Sequence, residues 1–201
     1  MVFEKVQENL KARGYQVSCF ETAKEAADYL DGVIDGKSVG FGGSVTLQQM
    51  ELYEKLSSHN LTYAHWRLDE GESAADMYKK AQDAQIYLSS VNGLAETGEI
   101  INIDGRGNRI SAIMFGHEKV YLVAGVNKMA GDYESALHRA KNIAAPKNAQ
   151  RLRRNTPCAV KADRCYDCKS PERICRGLFV LWERPFGMDM EIVLINEELG
   201  Y

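Results

Sequence analysis

Four of the five cysteines of this chain are crowded into one stretch, Cys158-Ala-Val-Lys-Ala-Asp-Arg-Cys165-Tyr-Asp-Cys168-Lys-Ser-Pro-Glu-Arg-Ile-Cys175. The spacing C-x6-C-x2-C-x6-C puts a chelating pair between two further thiols. Four soft sulfur donors are what a tetrahedral zinc ion or an iron–sulfur cluster takes. Cys158, Cys165, Cys168 and Cys175 are therefore the expected ligands of zinc or of a cluster. The bland alternative is a set of reduced thiols, or two adventitious disulfides. Ser170-Pro171-Glu172 reads as a helix start that would favour thiolate charge. Lys161, Arg164, Lys169, Arg173 and Arg176 supply offsetting positive charge. Cys19, in an apolar run, reads as a small core residue.

A second group could hold an anion. In Gly40-Phe-Gly42-Gly43-Ser44-Val-Thr46, glycines admit a ligand to the backbone, and Ser44 and Thr46 add hydroxyls where a helix begins. The Gly-Lys-Ser/Thr ending of a P-loop is absent and G-x-G-x-x-G is not matched, so a tight turn with a serine cap is the competing reading. Gly125-Val-Asn127-Lys128 follows an apolar strand, where parallel sheets place ligands, and Lys128 there could meet an anionic group.

Glu96-Thr-Gly98-Glu99, Asn102, Asp104-Gly105 and Asn108-Arg109 gather carboxylates and amides that could bind a substrate. Turn chemistry accounts for much of the Asp104–Asn108 run, but not for Glu96 or Arg109. Glu96 is expected to face the same cleft as Gly42 and Lys128, as base or acyl acceptor. The four histidines show no ligand spacing. Arg151, Arg153 and Arg154 read as a solvated basic face, with a phosphate contact as the lesser reading.

These residues must be positioned by alternating strands and helices. Val2, Phe3, Val6 and Leu10 lie at helical spacing, and Thr22-Ala-Lys-Glu25 is a capping box. Apolar strands are expected at 15–20, 37–41, 61–64, 86–91, 119–124, 178–182 and 191–195. Helices are expected at 72–84 and, interrupted near Pro146, at 132–154. Apolar runs at 99–103 and 109–114 around a Gly/Asn/Asp turn predict a β-hairpin. The result is an α/β fold: a mostly parallel, mixed sheet with helices on both faces, plus a C-terminal cysteine loop.

The chain has 201 residues, a net charge of −3, 45% hydrophobic and 26% charged residues. That suits one domain over 1–201, with 155–176 as a metal-binding loop within it. The acidic balance argues against a nucleic-acid partner. Neither a signal peptide nor an apolar run of about 20 residues is present. A cytoplasmic location without a membrane partner is therefore expected, and its reducing poise favours metal over disulfide. No nicotinamide or flavin signature is present, so hydride transfer is not assigned, and no residue pattern assigns turnover to this chain alone.

Taken together, Gly40-Phe-Gly-Gly-Ser44-Val-Thr, Glu96-Thr-Gly-Glu-Ile-Ile-Asn102-Ile-Asp-Gly-Arg-Gly-Asn-Arg109, Phe115-Gly-His and Val123-Ala-Gly-Val-Asn-Lys128 resemble the LUD, or lactate-utilisation domain, family. The cysteine loop and the ending Asn196-Glu-Glu-Leu-Gly-Tyr201 resemble one branch of it. The resemblance covers the whole chain. It implies a fold like that of the sugar-phosphate isomerase and CoA-transferase superfamily. It also implies a subunit or accessory role in oxidising L-lactate or a related hydroxy acid to the keto acid, beside iron–sulfur partner subunits. The ligand would be a small anionic metabolite at Gly40–Thr46. Glu96 falls where CoA-transferase relatives place a nucleophilic glutamate, which keeps a CoA- or phosphate-ester transferase or isomerase as the alternative. A non-catalytic ligand sensor or electron relay, and a homo-oligomer, also stay open.

Overall fold

The computed structural model describes residues 3–201, so Val2, the first apolar position expected on the opening helix, lies outside the described residues. The first half of the chain folds as α1 (Glu4–Ala12), β1 (Gln16–Phe20), α2 (Ala23–Val33), β2 (Ser38–Phe41), α3 (Val45–Gln49), α4 (Leu52–Leu56), β3 (Leu61–Tyr63), α5 (Ala74–Gln82) and β4 (Ile86–Ser90). Next come β5 (Gly93–Ala95), β6 (Ile100–Asp104), α6 (Asn108–Met114), β7 (Lys119–Gly125) and β8 (Met129–Ala130). The chain finishes with α7 (Tyr133–Arg139), α8 (Ala145–Arg151), α9 (Pro157–Lys161), β9 (Gly177–Leu181) and β10 (Asp189–Ile195).

Six strands form one parallel sheet in the order β1-β10-β7-β4-β2-β3. Its central strands are almost wholly buried, as strands covered on both faces must be. Successive residues point to opposite faces. Leu122, Ile192 and Leu194 meet Val6 and Leu10 of α1 and Ile113 of α6, while Val123, Val193 and Ile195 meet Leu30, Leu47, Leu52 and Leu56 of α2, α3 and α4. The capping box opens α2 as expected: Thr22 Oγ1 accepts from the Glu25 N–H, and the Glu25 carboxylate accepts from the Thr22 N–H. No helix among the described residues is long and apolar enough to cross a membrane.

Four local expectations change. The antiparallel pairs do not make the main sheet mixed; they form a second sheet, β8-β5-β6-β9, in which β5–β6 and β6–β9 are antiparallel. Residues 109–114 are not the second arm of a hairpin but lie in helix α6. Both edges of β6 are already taken by β5 and β9, and the Asp104 carboxylate accepts from the N–H groups of Gly105 and Arg106 in the turn and from those of Arg109 and Ile110, which a helix start leaves free. Ser170-Pro171-Glu172 makes a single turn, closed by the Arg173 N–H donating to the Ser170 carbonyl, whereas the helix of the cysteine loop is α9, capped by Thr156. Cys19 is exposed, not a core residue.

Helix α5 packs so tightly on β2 that a Cβ on Gly40 would run into the Ala81 carbonyl oxygen and lie 2.9 Å from its Cα. The backbone of α5 cannot yield without breaking its own ladder. Gly40→Ala should therefore lower stability by about 1–3 kcal/mol, read as a lower midpoint in urea unfolding. An unchanged midpoint would show that α5 rides freely on the sheet.

Candidate anion cleft and cysteine pocket

The parallel strands end on one side of the sheet, and β2, β4 and β7 deliver their following loops to it: Gly42-Gly43-Ser44, Val91-Asn92 and Val126-Asn127-Lys128. Above them lies a cleft of about 630 Å³. Gly43, Asn92 and the 103–109 loop form its floor, α8 one side, and residues 171–176 of the cysteine loop the other. Arg106, Arg109, Arg151, Arg154, Arg173 and Arg176 line it, against the carboxylates of Asp104 and Glu172. Both carboxylates are turned to backbone: Asp104 caps α6, and Glu172 accepts from the Asn155 N–H at 3.0 Å. The cleft is thus strongly cationic in a chain of net charge −3.

The arginines are held from several elements. Arg109 donates to Asn92 Oδ1 (3.0 Å) and the Ile103 carbonyl (2.7 Å), which fixes its guanidinium beside the end of β4. Arg151 donates to Asn148 Oδ1 on its own helix and to the Tyr201 hydroxyl at 2.7 Å. Arg106 lies over the Tyr78 ring at 5.4 Å. His65 packs against that ring too, and its Cε1 would lie 3.1 Å from a Cβ on Gly43. Burial, and then the charges of Arg106 and Arg151, hold the His65 imidazole below its ordinary pKa, so it is neutral at pH 7.

A smaller pocket of about 40 Å³ adjoins the cleft, lined by Gly43, Ser44, Thr46, Ser90, Lys128 and the end of the chain. Ser44 Oγ is committed to capping α3, accepting from the Leu47 N–H. Lys128 is 3% exposed. Its Nζ donates to the Tyr201 main-chain oxygen at 2.7 Å. Burial, with Arg139, Arg109 and Lys147 adding repulsion, pushes its amine down to about 7. Residues 199–201 lie across this pocket. Asn127 Oδ1 accepts from the Leu199 N–H, Asn127 Nδ2 donates to the Gly200 carbonyl, and Thr46 Oγ1 donates to the Leu199 carbonyl.

The structure therefore brings together Gly43, Ser44, Thr46, Asp104, Asn108, Arg109 and Lys128 around the two pockets. The other expected residues are placed elsewhere. Gly40 is spent on packing against α5. Gly42 donates its N–H to the Leu88 carbonyl, and a Cβ on it would meet Ser89 Oγ and Tyr87 Oη, both at 2.8 Å. Gly125 and Asn127 seat residues 197–200, with Glu197 O at 2.5 Å from a Cβ on Gly125. Glu96 lies apart from the cleft lining: its carboxylate pairs with Lys5 Nζ at 2.9 Å, and its carbonyl accepts from Asn9 on α1. Gly98 turns beside it with φ +101, against the Arg13 side chain. The Glu96 N–H donates to the Ala130 carbonyl at 2.8 Å, two residues beyond Lys128, while its carboxylate turns to Lys5 on α1 and not to Lys128. Sequence reasoning did not single out His65, Tyr78, Asn92, Arg106 or Asn148, and it read Arg151 and Arg154 as a solvated face. Both are exposed, as a solvated face requires, and the packing of α8 sets them along the cleft.

The four cysteines of the loop line one narrow pocket with Thr156, Lys141, Arg173, Ile174 and an apolar floor of Ala145, Pro146 and Ala149. All are free thiols. Asp167, at φ 44, lets its N–H donate to Cys165 Sγ at 3.4 Å, and Arg173 donates to Cys175 Sγ at 3.4 Å and to the Cys168 carbonyl at 2.8 Å. As they stand, no three His, Cys, Asp or Glu side chains among the described residues are arranged to hold one metal ion.

Comparison with known proteins agrees with this fold and these motifs. The model of the LUD domain matches residues 3–195, and the chain belongs to the LUD domain family. The crystal structure of a DUF162 family protein from Deinococcus radiodurans, at 1.70 Å resolution, is similar to it with a TM-score of 0.55 at 10% identity, over 96% of each chain. At that identity the likeness concerns the fold. No curated protein matches the chain.

Proposed function

We propose that this LUD domain is a metabolite-binding subunit or accessory of hydroxy-acid oxidation, and that its ligand is an organic anion carrying more than one charged group. The observation that carries the reading is the arginine-lined cleft. A volume of about 630 Å³ is typical of sites for whole metabolites and is far larger than a three-carbon acid fills. Arginine is the side chain best suited to pair with carboxylate or phosphate through two parallel hydrogen bonds. A hydroxy acid larger than L-lactate, with a second carboxylate or a phosphate ester, would place its charges on Arg106, Arg109 and Arg151. Asn92 and Asn148 offer neutral partners at the cleft wall. Lys128 and Thr46 lie deeper, behind residues 199–201. The cleft offers no free carboxylate as nucleophile, and Glu96 is paired elsewhere, so a transferase working through Glu96 draws no support from this geometry.

Isothermal titration with inorganic pyrophosphate and with L-lactate tests the reading. Pyrophosphate should bind saturably and more tightly than L-lactate, and its affinity should fall steeply with added salt because several exposed arginines share the contact. Amide shifts should centre on residues 104–109 and 148–154. Absence of saturable binding by either anion, or shifts centred elsewhere, would remove the cleft from consideration.

A further inference from the structure

The cysteine pocket and the anion cleft are neighbours with a shared wall. Arg173 and Ile174 line both. We infer that Cys158, Cys165, Cys168 and Cys175 hold a tetrathiolate metal centre, zinc or iron–sulfur, whose loading sets the position of Arg173 in the wall of the cleft. The second half of this inference rests on the cleft being an anion site; the first does not.

The thiols come from separately anchored pieces of chain. Cys158 sits in the first turn of α9, behind the Thr156 cap and Pro157. Cys165 and Cys168 flank the tight loop that the left-handed Asp167 makes, and the Cys165 N–H donates to Asn142 at 3.1 Å. Cys175 precedes β9, where the Arg176 N–H donates to the Asp104 carbonyl at 2.9 Å. Such independent anchoring onto one pocket is not needed for four inert thiols. The charges argue the same way. Lys141 and Arg173 border an otherwise apolar pocket, and Arg173 Nε is buried without a hydrogen-bond partner. The exposed Asp167 carboxylate, 3.8 Å from Arg173, offsets only part of this charge, whereas four thiolates around a metal carry net negative charge.

Binding would be felt in the cleft. Zinc–sulfur bonds are about 2.3 Å long, and each thiolate of an iron–sulfur cluster is likewise bonded to an iron. Either centre would fix Cys165, Cys168 and Cys175, and with them the 165–175 loop, in one arrangement. Arg173 bridges Cys168 and Cys175 and must follow. The Ile174 carbonyl, which would be 2.8 Å from a Cβ on Gly105, passes the constraint to the 104–109 loop that carries Arg106 and Arg109.

The test uses full-length protein purified without oxygen from medium supplied with zinc and iron. Metal content, acid-labile sulfide and the visible spectrum are measured first, then pyrophosphate affinity before and after stripping with a chelator. One zinc per chain without colour, or iron with labile sulfide and absorption near ~400 nm, is the expected result and tells the two sources apart. Cys165→Ser/Cys168→Ser should lose the metal. Stripping should weaken pyrophosphate at least tenfold, and Arg173→Gln should do the same while keeping the metal. If stripping unfolds the protein, Arg173→Gln on the loaded protein carries the coupling test. Protein far below one equivalent of any metal, with all four thiols alkylating freely, overturns the centre. Unchanged pyrophosphate affinity in Arg173→Gln overturns the coupling. Loaded protein that binds no pyrophosphate leaves the centre standing and fails only the cleft.

Discussion

Replacing Arg106 and Arg151 together with alanine weakens pyrophosphate binding by at least about 100-fold and leaves the protein folded. Each lost guanidinium–phosphate contact is worth about 1.5–3 kcal/mol, and two such losses span roughly two to four decades of affinity. The exposure of the cleft places the expected result at the lower end. The pair is chosen because neither side chain anchors the core: Arg106 rests on the Tyr78 ring, and Arg151 reaches Asn148 and Tyr201. Both charges hold the His65 imidazole below its ordinary pKa. The double variant should therefore also move the His65 titration upward in a proton NMR experiment. Burial, the larger cause, remains and keeps the value below that of a free imidazole. Arg67→Ala, whose guanidinium pairs with Glu54 away from the cleft, is the control and should bind as the parent does. Equal affinity in the double variant and the control would mean that the arginine cluster recognises nothing.

Lys128→Met raises stability at pH 6.5 and flattens its rise toward pH 10. The sign follows from proton counting. An unfolded lysine titrates near 10.4, whereas in the fold burial brings Lys128 down to about 7. Between these values the unfolded chain carries a proton that the folded chain lacks, so stability climbs with pH across that window. Below about pH 7 the cost of burying the charge is complete, of the order of 4 kcal/mol at 1.36 kcal/mol per pKa unit. Methionine removes that cost but also the hydrogen bond to the Tyr201 main-chain oxygen, which leaves a net gain of roughly 1–3 kcal/mol. Urea unfolding of both proteins at pH 6.5 and 9.5 reads the difference directly. Parallel pH dependence in the two would show that the amine is solvated in solution. The cost itself is informative, because a buried amine that no Asp or Glu pairs among the described residues is held in the small pocket beside the cleft.

Much of the scaffold was legible from local pattern. Strands such as Val120–Ala124 and Ile192–Ile195 are unbroken apolar runs, the signature of parallel strands buried on two faces, and both lie at the centre of the sheet. The capping box at Thr22 and the serine cap at Ser44 rest on hydrogen bonds within three residues, so they survive any tertiary arrangement. Where several partners competed, pattern failed. Residues 109–114 suit a strand as well as a helix, and the helix forms because β9, distant in sequence, has taken the edge of β6. The glycines of 40–46 announced close approach, but what approaches Gly40 and Gly42 is Ala81 on α5 and Ser89 on β4.

By itself the sequence determined the alternating α/β order, the family motifs and the clustering of four thiols, since each is written in neighbouring residues. Tertiary structure alone decided which charged groups meet. Glu96 follows β5 and Lys128 follows β7, yet the carbonyl and carboxylate of Glu96 are bound to Asn9 and Lys5 of α1, so the two charged groups do not pair. Arg106, Arg151 and Arg173 come from a loop, a helix and the cysteine loop, and converge because β6–β9 pairing and the packing of α8 fold those segments over one sheet edge. Local chemistry acts within a turn or two of chain, whereas a site assembled across strand ends exists only once the sheet order has set which ends are neighbours.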